Sequence, residues 1–404
     1  MTDTTFKILI FIITACLVVG SCDHYDLSEE QSERFVRYLP TTDFSYGEGI
    51  DVIQNSDGEY MILGTALWTA TDRQIMIMKT DEFGREIDQS PLLTGSPGPD
   101  DGYKIIKTDD GGCVIAGSSK PTGTTYGYLL KIDPSFSEPF PLELNIGSAP
   151  TQEFMGITIT EDERFILTGY SKETTGDKQV YLVKTDEWGV ILWERVIGFT
   201  DYNDVGVAVV ENNGRILIVG TTTPVNSGSG NSRLLILNTN SLGKGMTELR
   251  ISGNGDLSGV DMVTDTDGNI IILGNHQNST RDVSEIYLTK IKLEGFNNEL
   301  ITVLYATSIE YEESLYCKSM VINEDNSLAI VGWRERQGDK DILFARIKPD
   351  LSLNDIQFFG SSGYQSGSGI SGTADGGYII TGGADVAGEI NTVLIKLGPD
   401  GKLY

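Results

Sequence analysis

The chain has 404 residues and a formal net charge of −28, from 58 acidic and 30 basic side chains. Charge of that sign and size repels polyphosphate and excludes a nucleic-acid partner as a working idea. Glycine, at 47 residues, is scattered at regular intervals, β-branched and aromatic residues are plentiful, and helical periodicity is scarce. A protein of strands and tight turns is expected.

The first element is a leader. Lys7 precedes an apolar run over 8–20, too short to span a bilayer, which takes about 20 residues, but of the length of a signal-peptide core. Gly20 and Ser21 then precede Cys22, and V-G-S-C resembles a bacterial lipobox. That resemblance implies cleavage before Cys22 and a diacylated Cys22, with residues 1–21 removed. Asp3 and the single basic residue depart from the pattern, and an ordinary secretory signal is the alternative. Residues 22–33 form the lipidated cysteine and a tether whose acids (Asp23, Asp26, Glu29, Glu30, Glu33) lack any hydrophobic period. Acids soon after the cysteine resemble the export signal of Bacteroidota surface lipoproteins, which implies an outer-membrane lipoprotein, exposed at the cell surface if the signal acts. Cys16 leaves with the leader. Cys113 and Cys317 lie in apolar runs and are expected as buried free thiols.

From residue 34 the chain repeats. ERFVRYLP (33–40) reads as an isolated strand. Next, an apolar run ending in glycine recurs seven times, at Gly64, Gly117, Gly169, Gly220, Gly274, Gly332 and Gly382, every 50–58 residues. Six residues before each lies a turn position, usually Asp-Gly or Asn-Gly (Gly58, Gly111, Glu163, Gly214, Gly268, Asn326, Gly376), which accepts positive φ. A second strand follows each glycine and ends in a polar residue: Lys79, Lys131, Lys184, Asn238, Lys290, Arg346, Lys396. Four short strands, A to D, fill each unit, and that period predicts a seven-bladed β-propeller over 34–404. The seventh unit stops at GKLY, where its D strand would begin. Residues 34–40 are therefore expected to supply that strand and close the ring, leaving no open sheet edge. An open or eight-bladed ring is the alternative.

The unit, roughly D-x-(I/V)-x-T-x-D-G-G-Y-I-I-x-G followed by D-x-Y-L-I-K-T-D-x-x-G, is similar to the propeller repeats of Bacteroidota lipoproteins grouped with delta-60 or kelch-like repeats. The resemblance implies fold and cell envelope, and carries no catalytic residues.

Chemistry is expected on the face formed by the D–A and B–C loops, which vary while the A–B and C–D turns are stereotyped. Tyr46, Tyr202 and Tyr364 share one repeat offset, and Tyr311 lies in another D–A loop. They either form a rim for a glycan or a basic peptide or wedge between blades. Trp68, Trp333, Arg334 and Arg336 are expected to be exposed in long B–C loops, and His276 to be a loop residue. Gly367-x-Gly369-x-x-Gly372 has dinucleotide spacing but opens a hairpin, not a helix. TDTDGN (264–269) lacks the closing acid of a calcium loop, with Gly274 in its place. With His24 in the tether, His276 is alone, so neither a metal site nor a cofactor is expected. These readings combine into a lipid-anchored envelope propeller, monomeric, that binds a protein or glycan partner without catalysis. The alternative is a glycoside hydrolase or lyase using acids in the central funnel.

Overall fold

The computed structural model describes residues 34–39, 47–69, 72–87, 91–136, 142–174, 176–225 and 230–404. Cys22, His24 and Tyr46 lie outside the described residues, and of Trp68 only the backbone is described. The first strand, β1 (Phe35–Leu39), precedes the repeats. Blade 1 is β2–β5 (Gly47–Gln54, Tyr60–Thr69, Asp72–Thr80, Leu92–Thr94) and blade 2 is β6–β9 (Asp100–Lys107, Cys113–Ser119, Tyr126–Ile132, Leu142–Ile146). Blade 3 is β10–β13 (Thr151–Ile159, Phe165–Lys172, Gln179–Thr185, Ile191–Ile197) and blade 4 is β14–β17 (Tyr202–Asn212, Arg215–Pro224, Arg233–Asn240, Thr247–Ile251). Blade 5 is β18–β21 (Leu257–Thr264, Ile270–Asn278, Val283–Glu294, Leu300–Ile309) and blade 6 is β22–β25 (Ser314–Ile322, Leu328–Arg336, Asp339–Ile347, Leu353–Phe359). The last three strands, β26–β28 (Gln365–Gly372, Tyr378–Val386, Glu389–Leu397), complete blade 7 with β1 as its fourth, in the order β1-β28-β27-β26. All seven sheets are four-stranded and antiparallel, a seven-bladed propeller closed by its N-terminal strand.

The core lies between blades. Along β23, Leu328 and Ile330 pack into the cluster shared with blade 5, while Ala329 and Val331 pack into the one shared with blade 7. Strand alternation thus feeds two cores at once, so both faces of the B and C strands are apolar.

The recurring glycine has a steric cause. In every blade the innermost strand shifts register by one residue opposite it, as between Cys317 and Ser319 or Gly367 and Gly369. This bulge brings the inner backbone onto the glycine. A Cβ on Gly332 would sit 1.8 Å from the Tyr316 carbonyl oxygen, and one on Gly382 1.9 Å from that of Ser366. The turn positions six residues earlier all have positive φ, from 58° at Glu163 to 87° at Gly111.

The polar residue ending each C strand also has a role. It reaches across the sheet to an acid beside the A–B turn: Lys79 to Glu59 at 2.8 Å, Lys131 to Asp110 at 3.1 Å, Lys290 to Asp265 and Lys396 to Asp375 at 2.6 Å. Asn238 and Arg346 replace lysine and bond to Arg215 and Asp355. Closure is equally specific. β1 pairs with β28 from Phe35–Lys396 to Leu39–Thr392, Phe35 and Leu39 are buried, and Arg34 bridges to Asp400 at 3.2 Å.

Candidate functional site

The seven inner strands surround a central channel with lining side chains from every blade. Each inner strand enters from the D–A loop face. Its second, third or fourth residue therefore rings the mouth: Glu48, Asp101, Glu153, Val205, Ser258, Tyr316 and Ser366. Opposite each, on the B strand, stands the residue just after the repeat glycine: Thr65, Ser118, Tyr170, Thr221, Asn275, Trp333 and Gly383.

This ring is chemically lopsided. Its three carboxylates come from blades 1–3, and each is held. Arg73 donates to both oxygens of Asp101 at 2.8 and 2.6 Å. Tyr170 and Tyr103 donate to Glu153 at 2.6 and 3.3 Å, and Tyr364 donates to Glu48 at 2.8 Å. Burial first, and the facing carboxylates second, push the Tyr103, Tyr170 and Tyr364 phenols above the ordinary tyrosine range. These hydroxyls therefore stay protonated and serve as donors. Across the mouth, blade 6 presents Tyr316 stacked on Trp333, centroids 5.0 Å apart and planes 16° apart. The Lys340 and Lys318 ammonium groups sit 4.9 and 5.6 Å from the Trp333 centroid. In blade 3, Lys178 sits 3.7 Å from the Tyr170 centroid. The Trp333 Nε1–H is covered and has no acceptor.

Below the mouth the channel holds a polar layer. Lys104 pairs with Asp51 at 3.1 Å, and Asp51 also accepts from the backbone N–H groups of Val52 and Ile105 at 3.0 and 3.2 Å. Asp261 accepts from Met262 and Met320 N–H at 2.9 and 3.1 Å and from the Ser319 hydroxyl at 3.3 Å. Both aspartates thereby stitch their blade to the next. Burial opposes the charge on Lys104, but Asp51 and then Asp261 outweigh it and hold the ammonium above the usual lysine range. Burial pushes the Asp51 carboxyl up, against the pull of Lys104 and the two N–H groups.

The remaining predicted residues are dispersed. Tyr202 lies under Arg250, 5.0 Å from its centroid, and Tyr311 packs on Phe358 with centroids 5.5 Å apart. The loop assignments need correction. Trp333, Arg334 and Arg336 belong to β23, not to a long loop, because Gln337 and Gly338 both take positive φ (51° and 90°) and turn the chain in two residues. Trp333 is half-buried and Arg334 is bridged to Asp341 and Glu313. Only Arg336 is well exposed, at 61 %. His276 is in β19, buried, with Nδ1 3.4 Å from both Glu285 and the Ser308 hydroxyl. Trp68 is in β3. Gly367, Gly369 and Gly372 lie in β26, and Asp265 is taken by Lys290. Among the described residues, no group of three or more His, Cys, Asp or Glu is placed to hold a metal ion. Tyr170 and the three lysines at the mouth escaped the sequence reading. The repeat alignment carries a signal for Tyr170, which occupies the position of Trp333.

No protein-family model and no curated protein matches the sequence. The fold is similar to that of a solved structure, the polysaccharide lyase Uly1, with a TM-score of 0.54 at 10 % identity over 92 % of this chain and 96 % of that one. At that identity the likeness speaks to the fold.

Proposed function

We propose that this propeller is a non-enzymatic glycan-binding protein, anchored to the outer membrane through Cys22, that takes its ligand across the channel mouth. One observation carries the reading: Trp333 places a half-buried aromatic ring at the mouth, across from the carboxylates, while Tyr170, at the equivalent repeat position, is buried beside Glu153. Flat rings cover the apolar faces of sugars, and carboxylates accept from sugar hydroxyls. The V-G-S-C stretch before an acidic tether supports the envelope location. The catalytic alternative draws support from the lyase neighbour's fold. Against it stand the channel aspartates, occupied by backbone N–H groups and Lys104.

Isothermal titration of the chain from Cys22 onward with a panel of oligosaccharides tests the binding reading. Trp333→Ala should weaken binding roughly tenfold, the scale of losing an aromatic contact of about 1–1.5 kcal/mol. Binding indifferent to that substitution removes the mouth as the site. New reducing ends or unsaturated products in the same mixtures would transfer the reading to the enzyme.

A further inference from the structure

We infer that the blade 6 side of the mouth is a subsite for an anionic group, carboxylate or sulfate, on the bound sugar, an inference that rests on the glycan reading above. Among the described residues some lysines, such as Lys107, Lys120 and Lys348, make no ion pair, and others are held by an acid. The lysines that end the C strands on the opposite face belong to the second group, each meeting an acid within 3.8 Å. Lys318 and Lys340 do not. Neither makes an ion pair among the described residues, and both rest on Trp333.

Their positions are structurally determined. Lys318 is the bulged residue between Cys317 and Ser319, the one place in β22 where the register shift leaves a side chain without a cross-strand partner. Lys340 follows the two-residue turn at Gln337 and Gly338, and its backbone N–H is bonded to the Gly363 carbonyl at 3.0 Å. Two ammonium groups near one indole, which is stacked on Tyr316, make a cationic corner on an aromatic wall. Glu48, Asp101 and Glu153 lie toward blades 1–3. The blade 6 acids Glu313 and Asp341 are engaged by Arg334 and Arg336, which leaves the two lysines to an anion, while neutral hydroxyls can donate to the carboxylates. The ligand is oriented as well as held.

Three probes separate the possibilities: oligogalacturonate, which carries carboxylates, dextran sulfate oligomers, which carry sulfates, and plain dextran oligomers, which carry neither. The expected result is binding of one or both acidic probes, weakened tenfold or more by Lys318→Gln and again by Lys340→Gln. Lys348→Gln, on the opposite face, should leave binding unchanged, and thermal melts should show all variants folded. Plain dextran binding as tightly as the acidic probes, with both lysine variants unaffected, would overturn the anionic subsite and leave the glycan reading standing. No binding of any probe, or of any oligosaccharide in the wider panel, overturns both.

Discussion

The repeat glycine shows how one atom can be excluded seven times over. At Gly332 an added Cβ would overlap the Tyr316 carbonyl, an atom fixed by the bulge and unable to swing away. Gly332→Ala should therefore cost at least about 1–3 kcal/mol, the usual scale of overpacking, read as a lower urea midpoint. Glu163 is the converse case. Its φ of 58° imposes a left-handed conformation on a residue with a Cβ. Glu163→Gly should raise stability by about 0.5–1 kcal/mol, the left-handed penalty less the entropy that glycine adds to the unfolded chain. The lysine–acid pairs set the acid limit. Partner hydrogen bonds hold Asp110, Asp265 and Asp375 below the ordinary carboxylate range despite burial. A depressed folded pKa gives stability that is complete above the unfolded value, near 4, and lost as pH falls through the folded one. The contribution of these three pairs should thus be complete at and above pH 5 and fall away below about pH 4, and Asp265→Asn should flatten part of the acid-side fall in the melting midpoint. All these positions stood out in the sequence because a steric or torsional rule repeats there. The free lysines did not, since lacking a partner is a property of three-dimensional neighbourhoods.

Among the elements, β1 is the one whose loss opens the ring. Removing residues 34–39 strips Phe35 and Leu39 from the core, and Phe35 also meets Tyr60 of blade 1 with centroids 6.3 Å apart. Two buried apolar side chains are worth about 3–6 kcal/mol, and the exposed edge of β28 invites association. Thermal melts of chains beginning at 34 and at 40 provide the measurement. A start at 34 should melt like a start at 23, whereas equal midpoints for starts at 34 and 40 would sink the closure argument. This strand was legible because the last repeat lacks its fourth strand and ERFVRYLP has no place of its own. The lengths of β23 and β27 were not. Gln337-Gly338 and Ala387-Gly388 make tight hairpins with positive φ at both residues, yet Gln and Ala are poor advertisements for such turns. The long polar stretch around each therefore read as loop, and Trp333 was expected to be exposed.

On the scale of the whole molecule, two consequences can be measured. Cys113 and Cys317 are free and buried in blades 2 and 6, and burial pushes both thiols well up. In the chain from Cys22 onward, a thiol reagent should modify Cys22 alone in the folded state and all three cysteines in denaturant. Fast modification of a second thiol before unfolding would contradict this packing. The net charge of −28 gives the second. An acidic oligosaccharide meets long-range repulsion before it reaches the blade 6 corner, so its association rate should rise with added salt, the reverse of a steered encounter. Stopped-flow measurements at two ionic strengths decide the sign. The blade count was readable because a period of 50–58 residues is a global feature of the sequence. The lopsided mouth was not, because it forms only when residues some 50 apart in sequence are brought side by side around one axis.

The closing strand also has a mechanical meaning. Arg34 sits at the start of β1, beside Asp400, on the face of the A–B and C–D turns, while the mouth opens on the other. A pull on the chain ahead of Arg34, resisted by a ligand held at the mouth, runs along the strand direction. The five residue pairs between β1 and β28 are then loaded in shear, all together, rather than peeled one at a time. Strands in that geometry yield at higher force than strands that unzip, so the joint that makes the ring vulnerable to truncation is oriented to resist tension.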